Sequence, residues 1–201
     1  MSMFITFEGP EGSGKSTVMQ AVAARLERPL ITTREPGGIR ISEAIRDVLL
    51  SDDYSMDART EALLFAASRR QHLVEKVQPA LDAGQIVLCD RFIDSSLAYQ
   101  GYARGIGVEE IMSVNQFAIE SYMPDLTLYL KVPPEIGLAR IMDNQRETNR
   151  LDNESLAFHQ RVYDGYNDLA DTYERIVTID ATRPIDEVIE DAYQVIIKKL
   201  G

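Results

Sequence analysis

Residues 9–17 combine glycines, a lysine and hydroxyl side chains in a spacing that suits phosphate binding. The stretch has the pattern G-x-x-x-x-G-K-[ST], and its residues are Gly9, Pro10, Glu11, Gly12, Ser13, Gly14, Lys15, Ser16 and Thr17. Glycines let neighbouring backbone N–H groups approach phosphate oxygens, and a helix that begins near Lys15 would add its positive N-terminal end. We expect Lys15 to reach the β- and γ-phosphates and the Ser16 hydroxyl to hold Mg²⁺. The pattern therefore predicts a loop that binds a nucleoside triphosphate.

A second chemical signal stands at the end of a continuous apolar run. Residues 86–89 (IVLC) are typical of a buried parallel strand, and Asp90 follows at its carboxyl end. A carboxylate in that position would help Ser16 to hold Mg²⁺. Arg91 comes next, where its guanidinium can pair with phosphate oxygens. We interpret Cys89, the one cysteine of the chain, as an unreactive core thiol.

The chain also carries more arginines near such positions than one triphosphate and Mg²⁺ would need. They are Arg34, Arg46, Arg69, Arg91, Arg146 and Arg150. A second anionic substrate would explain them, and an acceptor phosphate would need no catalytic base because its second pKa is about 6. Local pattern alone, however, favours a solvated Arg46 and a core Phe65 beside a surface Arg69. The loop by itself leaves open whether the γ-phosphate goes to water, a hydroxyl or a phosphate.

The elements that must position these residues are strands and helices in alternation. Five apolar runs predict strands at 3–8, 30–33, 86–90, 126–132 and 176–179. Helical periodicity predicts helices at 15–26, 41–50, 57–83, 92–100, 108–122, 134–143, 154–174 and 185–200. Strands that alternate with helices predict an α/β, three-layer P-loop NTPase fold: a five-stranded parallel sheet with helices on both faces. We expect one domain over residues 1–201, with its ligands at the carboxyl ends of the strands.

Three segments carry more specific expectations. Pro79 should kink or end the long helical region, and residues 101–107 (GYARGIG) should form a flexible connection. Residues 144–152 are polar and lack apolar periodicity. They are either an ordinary linker or a lid, at about 143–153, whose arginines close over phosphates.

Composition limits the class of protein. The net charge of −11 disfavours a broad surface for binding DNA or RNA, so we expect no nucleic-acid partner. No apolar run approaches the length of a membrane span, and the N-terminus lacks a signal-peptide pattern. A single cysteine suits a reducing compartment. We therefore expect a cytoplasmic protein with no membrane partner.

Four separate motifs, in this order along the chain, closely resemble those of thymidylate (dTMP) kinases. They are FEGPEGSGKS at 7–16, REPGG at 34–38, FAASRR at 65–70, and DRF at 90–92 with SSLAYQG at 95–101. The resemblance covers essentially the whole chain. It implies transfer of the ATP γ-phosphate to dTMP, giving dTDP, with Mg²⁺, in a homodimer with a nucleoside monophosphate kinase fold.

The resemblance also implies four sets of site residues, for ATP, the metal, catalysis and dTMP. The ATP set is the loop from Gly9 to Thr17 together with Arg183, which would flank adenine. The metal set is Ser16 and Asp90. The catalytic set is Lys15, Asp90, Arg91, Arg146 and Arg150. Gly12 stands where one branch of the family places an arginine, so the lid arginines would supply the missing charge.

The dTMP set follows in the same way, as Glu11, Arg34, Pro36, Arg46, Phe65, Arg69, Arg91, Ser95, Ser96, Tyr99 and Gln100. By resemblance, Phe65 would stack on thymine and Arg69 would bond its O4. Ser96 and Gln100 would read the base or line its pocket, and Tyr99 would exclude a ribose 2′-hydroxyl. Glu11 would approach the 3′-hydroxyl, and the arginines at 34, 46 and 91 would hold the acceptor phosphate. Phe92 replaces the usual tyrosine after Asp-Arg, which removes one hydroxyl.

Two other functions fit parts of the pattern. A deoxynucleoside kinase has a related fold but phosphorylates a 5′-hydroxyl, which usually needs a carboxylate to take the proton. A nucleotide-dependent ATPase switch would use the lid as a binding surface. The chain lacks an evident water-positioning glutamine after the Asp90 strand, which disfavours the switch.

Overall fold

The structure, a computed structural model, describes residues 2–143 and 149–201. Its five strands are β1 (Met3–Glu8), β2 (Leu30–Arg34), β3 (Ile86–Asp90), β4 (Leu126–Lys131) and β5 (Ile176–Asp180). All the strand pairs are parallel, and the order across the sheet is β2-β3-β1-β4-β5. The predicted five-stranded parallel sheet is therefore confirmed, and β1, which carries the phosphate-loop motif, lies at its centre.

Helices cover the sheet within the described residues. They are α1 (Lys15–Arg25), α2 (Arg40–Leu50), α3 (Ala58–His72), α4 (Gln78–Asp82), α5 (Ile93–Ser96), α6 (Val108–Ile119), α7 (Pro134–Asp143), α8 (Leu156–Thr172) and α9 (Ile185–Leu200). None of the helices in this part of the chain is long and apolar enough to cross a membrane.

Alternate residues of the central strands enter two separate cores. On one face, Phe4 and Val87 pack with buried residues of α3, α6 and α8. On the other, Ile5 and Leu88 pack with residues of α1 and α9. Both faces of the sheet are thus buried, which explains why its strands are apolar without alternation. This is the three-layer arrangement that the sequence predicts.

The long helical region near Pro79 is divided rather than kinked at the proline. A π-helical turn, Leu73–Val77, joins α3 to α4, and the Gln78 N–H donates to the Leu73 carbonyl. Pro79 follows inside the first turn of α4, where a missing backbone donor costs little. The helix ends before Gly84, whose φ is 77°.

The predicted flexible connection at 101–107 is wrong in its first part. The π-helical segment Leu97–Ala103 continues α5, and Gly101 is buried. A Cβ on Gly101 would lie 3.3 Å from the Val108 Cα, and the Gly107 N–H donates to the Gly101 carbonyl. Close packing against the start of α6 therefore orders residues that look flexible in the sequence.

Two glycines bring the phosphate loop into backbone contact with α7. A Cβ on Gly137 would lie 2.2 Å from the Glu11 carbonyl oxygen, and one on Gly12 would lie 2.0 Å from the Gly137 carbonyl oxygen. Gly12 also has φ 71°, which disfavours any other residue. A glycine inside a helix is the sequence signal for such a close approach. The position of the loop thus depends on α7 as well as on β1 and α1.

Gly137→Ala should therefore displace the loop. In an ordinary helix this change would stabilise the protein by up to about 1 kcal/mol, but overpacking against backbone costs about 1–3 kcal/mol. We expect a lower melting temperature and weaker binding of a nucleoside triphosphate, measured by thermal unfolding and calorimetric titration. Ala139→Gly on the same helix is the control and should lower stability without weakening triphosphate binding. Unchanged binding in Gly137→Ala would contradict the contact.

Candidate active site

One cleft of about 830 Å³ runs along the carboxyl ends of β1, β2 and β3. It brings together residues from the phosphate loop and from every other motif. The predicted site residues that line it are Glu11, Gly12, Ser13, Gly14, Lys15, Ser16, Thr17, Arg34, Pro36, Arg46, Phe65, Arg69, Asp90, Arg91, Ser95, Ser96, Tyr99, Gln100 and Arg183. Its size is that of a pocket for small molecules rather than for a polymer.

Lys15 is folded back onto its own loop. Its Nζ donates to the carbonyl oxygens of Gly9 at 3.1 Å and Pro10 at 2.9 Å and to Ser13 Oγ at 3.2 Å. Gly9 and Pro10 thus hold the lysine, although neither lines the cleft. Burial, with the nearby positive charge of Arg91, lowers the pKa of Lys15 to about 8. The ammonium group is therefore weakly compensated, and a phosphate group would offer it stronger acceptors.

Ser16 and Asp90 meet at the mouth of the loop. The Ser16 hydroxyl donates to the Asp90 carboxylate, although the two residues are 74 positions apart. Hydroxyl and carboxylate oxygens are ligands that Mg²⁺ accepts, usually together with substrate phosphates. This pair therefore has the donor set that the predicted metal site requires.

Arg91 lies in the left-handed region of backbone conformation, with φ 70°. This conformation is strained for a non-glycine residue, by about 1–3 kcal/mol, and it turns the side chain back under the phosphate loop. Arg91 Nη2 donates to Glu11 Oε1 at 2.6 Å and to the Tyr99 hydroxyl at 3.2 Å. Nη1 donates to the Gly9 carbonyl oxygen at 3.1 Å. Arg91 thus joins the loop to the helical wall of the cleft.

Glu8, to which no motif assigns a role, supports Arg91 from below. It is fully buried and accepts hydrogen bonds from the Phe92 N–H and Ser95 Oγ, both at 2.6 Å, and from the Tyr166 hydroxyl at 2.8 Å. Since both hydroxyls donate to Glu8, their oxygens can accept from Arg91 Nη1, at 3.0 and 3.3 Å. Burial raises the pKa of Glu8 to about 7. A carboxylate at the end of an otherwise apolar strand is the signal that could have identified it.

Arg34 and Arg46 lie on the α2 side of the cleft. Arg34 Nη2 donates to both carboxylate oxygens of Glu43, at 2.9 and 3.0 Å, and stays exposed. Arg46 is half-buried and donates to the Pro36 carbonyl oxygen at 3.0 Å. Burial and the nearby Arg34 lower the pKa of Arg46. The two guanidinium groups make this side of the cleft a local anion site on an acidic protein.

Arg69 is 2% exposed, so the interpretation of a surface arginine from local pattern is wrong. Nε donates to Glu35 Oε2 at 2.7 Å, Nη1 to Ser96 Oγ at 3.0 Å, and Nη2 to the Phe92 carbonyl oxygen at 2.9 Å. Nη1 also contacts the Asn115 side-chain oxygen. The guanidinium is held rigidly at the edge of the cleft, and the half-buried Phe65 lies one helical turn before it.

Both histidines are buried, and their rings contact other residues of the fold. His72 is fully buried, and its ring contacts Glu35 Oε1 at 2.8 Å and Thr33 Oγ1 at 2.7 Å. His72 therefore steadies the carboxylate that holds Arg69. His159 is buried on α8, where its Nε2 lies 3.4 Å from the Asp152 carbonyl oxygen.

Of the two predicted lid arginines, only Arg150 lies within the described residues. Arg146 lies outside the described residues. Arg150 does not line the cleft; its Nε donates to the Leu49 carbonyl oxygen at 2.9 Å and its Nη2 to Glu61 Oε2 at 2.6 Å. The backbone N–H of Arg150 also donates to the Leu50 carbonyl oxygen at 3.3 Å. In this structure Arg150 ties its segment to the ends of α2 and α3.

Arg183 lines the cleft together with the apolar Ala181, Ile185 and Val188. Arg183 pairs with Asp191 and lies 3.6 Å from Glu187, both on α9. Cleft residues that lie outside the motifs are Leu50, Arg140, Ile141, Asn149, Leu151, Ala181, Ile185 and Val188. Most are apolar or lie in segments without a motif, so the sequence offers no signal that separates them from ordinary core residues.

Comparisons with known proteins agree with this arrangement. The sequence model for thymidylate kinases matches residues 7–192. A thymidylate kinase from Staphylococcus haemolyticus (strain JCSC1435) is 58% identical over 203 residues and is matched over the full length of both chains. One from Clostridium novyi (strain NT) is 60% identical over 194 residues, which cover 94% of this chain and 95% of the relative.

A solved structure is similar as well. The crystal structure of thymidylate kinase from Ehrlichia chaffeensis superposes with a TM-score of 0.79 at 34% sequence identity, covering 97% of this chain and 98% of that chain. The fold, the four motifs and these matches show that the chain belongs to the thymidylate kinase family.

Proposed function

We propose that this protein transfers the γ-phosphate of ATP to dTMP, which gives ADP and dTDP. The observation that carries the proposal is the cleft itself, in which a phosphate loop faces a second wall built from Arg34, Arg46, Phe65 and Arg69. One nucleotide would leave that second wall without a ligand. Two nucleotides facing each other would use both walls.

The phosphate loop, Lys15 and the Ser16–Asp90 pair form the donor half. In our proposal the loop N–H groups bind the ATP phosphates, and Lys15 leaves its carbonyl acceptors to contact the β- and γ-phosphates. Ser16 and Asp90 would hold Mg²⁺, which neutralises charge on those phosphates. Adenine would lie between Arg183 and the apolar side chain of Ile185, both of which line the cleft.

The acceptor half would bind dTMP. Phe65 would stack on thymine, with Arg69, Ser96 and Gln100 at the edge of the base. Tyr99 is buried, and its hydroxyl donates to Glu11 Oε1 at 3.0 Å. That pair would face the sugar, where it favours a 3′-hydroxyl and leaves no room for a 2′-hydroxyl. Arg34, Arg46 and Arg91 would hold the acceptor phosphate.

Catalysis would then consist of alignment and charge neutralisation. A phosphate monoester is ionised at neutral pH, so no side chain has to remove a proton. Two carboxylates that line the cleft beside the phosphate loop already have partners: Glu11 pairs with Arg91 and Tyr99, and Asp90 accepts from Ser16. This arrangement favours a phosphate acceptor over the 5′-hydroxyl that a deoxynucleoside kinase would use.

The segment at about 143–153 remains our proposed lid. Arg146 keeps its predicted role as a cation that closes over the transferring phosphate. Arg150 could take that role only after leaving Glu61 and the Leu49 carbonyl. We also propose a cytoplasmic location, in keeping with the one cysteine and with nucleotide substrates.

The direct test is ADP release with a panel of acceptors. We expect dTMP with Mg²⁺ and ATP to give the highest kcat/KM among dTMP, dUMP, UMP, dGMP and thymidine, and no turnover when Mg²⁺ is chelated. A preference for thymidine would indicate a deoxynucleoside kinase. Slow hydrolysis that no acceptor stimulates would indicate an ATPase switch.

The lowered pKa of Lys15 predicts how ATP binding depends on pH. Below pH about 8 the side chain is an ammonium ion, and above it the free protein loses that charge. Bound phosphates favour the ammonium form, so ATP binding should weaken as pH rises from about 7 to 9.5 and should take up a proton near pH 9. Calorimetry in buffers of different ionisation enthalpy measures both effects.

Lys15→Arg is the matched control for that measurement. Its guanidinium stays charged throughout this range, so proton uptake should disappear even if the affinity falls. Persistent proton uptake in Lys15→Arg would assign the titration to another group.

We further propose a homodimer, as family resemblance implies. Several helices on one side of the sheet expose large apolar side chains, and α3 packs against both α2 and α6. These side chains are Ile41, Val48, Leu63 and Phe117. Burying such a surface is the usual reason for an exposed apolar patch.

Light scattering should therefore give a mass twice the 22.6 kDa of one chain. Leu63→Lys should shift the protein towards the monomer. Ile197→Lys, on the opposite side of the sheet in α9, should leave the mass unchanged. A wild-type protein that stays monomeric at micromolar concentration would contradict the proposal.

A further inference from the structure

Glu61 is a buried carboxylate next to the base end of the cleft, and no step described above uses it. It is 1% exposed and lies in the first turn of α3. Its Oε1 accepts from Gln100 Nε2 at 2.8 Å and Arg104 Nε at 3.2 Å. Its Oε2 accepts from Arg104 Nη2 at 3.1 Å and Arg150 Nη2 at 2.6 Å. One carboxylate thus connects the cleft wall with two arginines.

Glu61 acts only as an acceptor. Burial alone would raise its pKa, but hydrogen bonds from Arg104, Gln100 and Arg150 outweigh that effect and lower it. The group is therefore ionised at neutral pH and carries no proton to donate. Whatever faces it must be a donor.

This requirement fixes the orientation of the Gln100 side-chain amide. The NH₂ group must point at Glu61, so the Oε1 atom must point the other way. Gln100 lines the cleft, and within residues 2–143 and 149–201 its Oε1 accepts no hydrogen bond. Amide orientation usually has to be assigned from the surrounding network, and here an obligate acceptor assigns it. The Gln100 side chain therefore presents its carbonyl oxygen, Oε1, to the cleft.

A fixed carbonyl oxygen selects between pyrimidine bases. Thymine has an N3–H donor on its pairing edge, whereas cytosine has an N3 acceptor there. The Gln100 Oε1 atom would accept a hydrogen bond from N3–H of thymine, whereas it would face the N3 acceptor of cytosine and repel it. A reversed amide would present NH₂ to the cleft and invert that preference. Leaving a buried polar group opposed or unpaired is the strongest means of rejecting an analogue.

We propose that Glu61 is a specificity-determining positioning residue, which locks the Gln100 amide with its oxygen towards the base and thereby favours thymine over cytosine. The inference rests on the proposed function, since it concerns the acceptor nucleotide of that reaction. Arg104 and Arg150 hold the carboxylate in place and maintain its charge.

Glu61→Gln tests the proposal. The two arginines still require an acceptor, so the oxygen of the new amide should face them and its NH₂ should face Gln100. Gln100 would then have to turn its own oxygen away from the base. We expect the ratio of kcat/KM for dTMP to kcat/KM for dCMP to fall about tenfold or more. The KM for ATP should stay close to the wild-type value.

The ratio of kcat/KM for dTMP to kcat/KM for dCMP distinguishes a positioning role of Glu61 from a general loss of stability. Both substrates are measured on the same preparation, so the fraction of folded enzyme cancels. Arg104→Lys is the matched control, because it changes a neighbour of the same carboxylate and leaves the Glu61–Gln100 bond in place; its ratio should equal that of the wild type. If Glu61→Gln alone folds poorly, the double variant Glu61→Gln with Arg104→Gln restores the charge balance and should show the same fall.

Two results would overturn the inference. Equal losses for dTMP and dCMP in both Glu61 variants would show that Glu61 only supports the fold, while the proposed function would stand if the wild type prefers dTMP. A wild type that prefers dCMP would overturn both.

Discussion

The hydrogen bonds of Arg91 join the two halves of the cleft, and the geometry of both halves depends on them. Nη1 of the guanidinium donates to Gly9 in the loop and to Ser95 on the helical wall, and Nη2 donates to Glu11 in the loop and to Tyr99 on the wall. Arg91 makes these contacts from a left-handed backbone conformation, with φ 70°. Several charge-assisted hydrogen bonds, each worth about 1.5–3 kcal/mol, offset the strain of about 1–3 kcal/mol. Such a residue persists only where its surroundings over-determine it.

Buried carboxylate side chains hold several arginines of the protein in place. Glu8 orients two hydroxyls towards Arg91, and Asp94, fully buried one turn further on, binds Arg175 through both of its oxygens at 2.6 and 2.7 Å. Glu35 likewise holds Arg69, by accepting a hydrogen bond from its Nε. Glu8 and Glu35 act on two arginines that line the cleft, Arg91 and Arg69. Burying the carboxylates costs free energy, but it leaves little conformational freedom for these cations.

Local patterns were sufficient to predict the sheet, the phosphate loop and Asp90, because apolar strands and glycine spacing act over a few residues. Arg69 shows where this fails. Its burial depends on Glu35, Ser96 and Asn115, which are 34, 27 and 46 positions away. The same limit applies to Gly137, whose role appears only once α7 meets the loop, and to Glu61. Tertiary partners, rather than local propensity, decide these positions.

Pairing within the cleft also explains how an acidic protein can keep an anion site. The chain has a net charge of −11, yet Arg34 and Arg91, which line the cleft, each have a carboxylate partner, at Glu43 and Glu11. An entering phosphate would replace or share these carboxylates rather than meet bare cations. The site therefore avoids the cost of unpaired buried charge before its ligands arrive. Selectivity then comes from geometry: a planar guanidinium can exchange a carboxylate for a phosphate, because both accept two parallel hydrogen bonds. A neutral sugar offers no such exchange, which is the physical reason that this cleft suits two charged nucleotides.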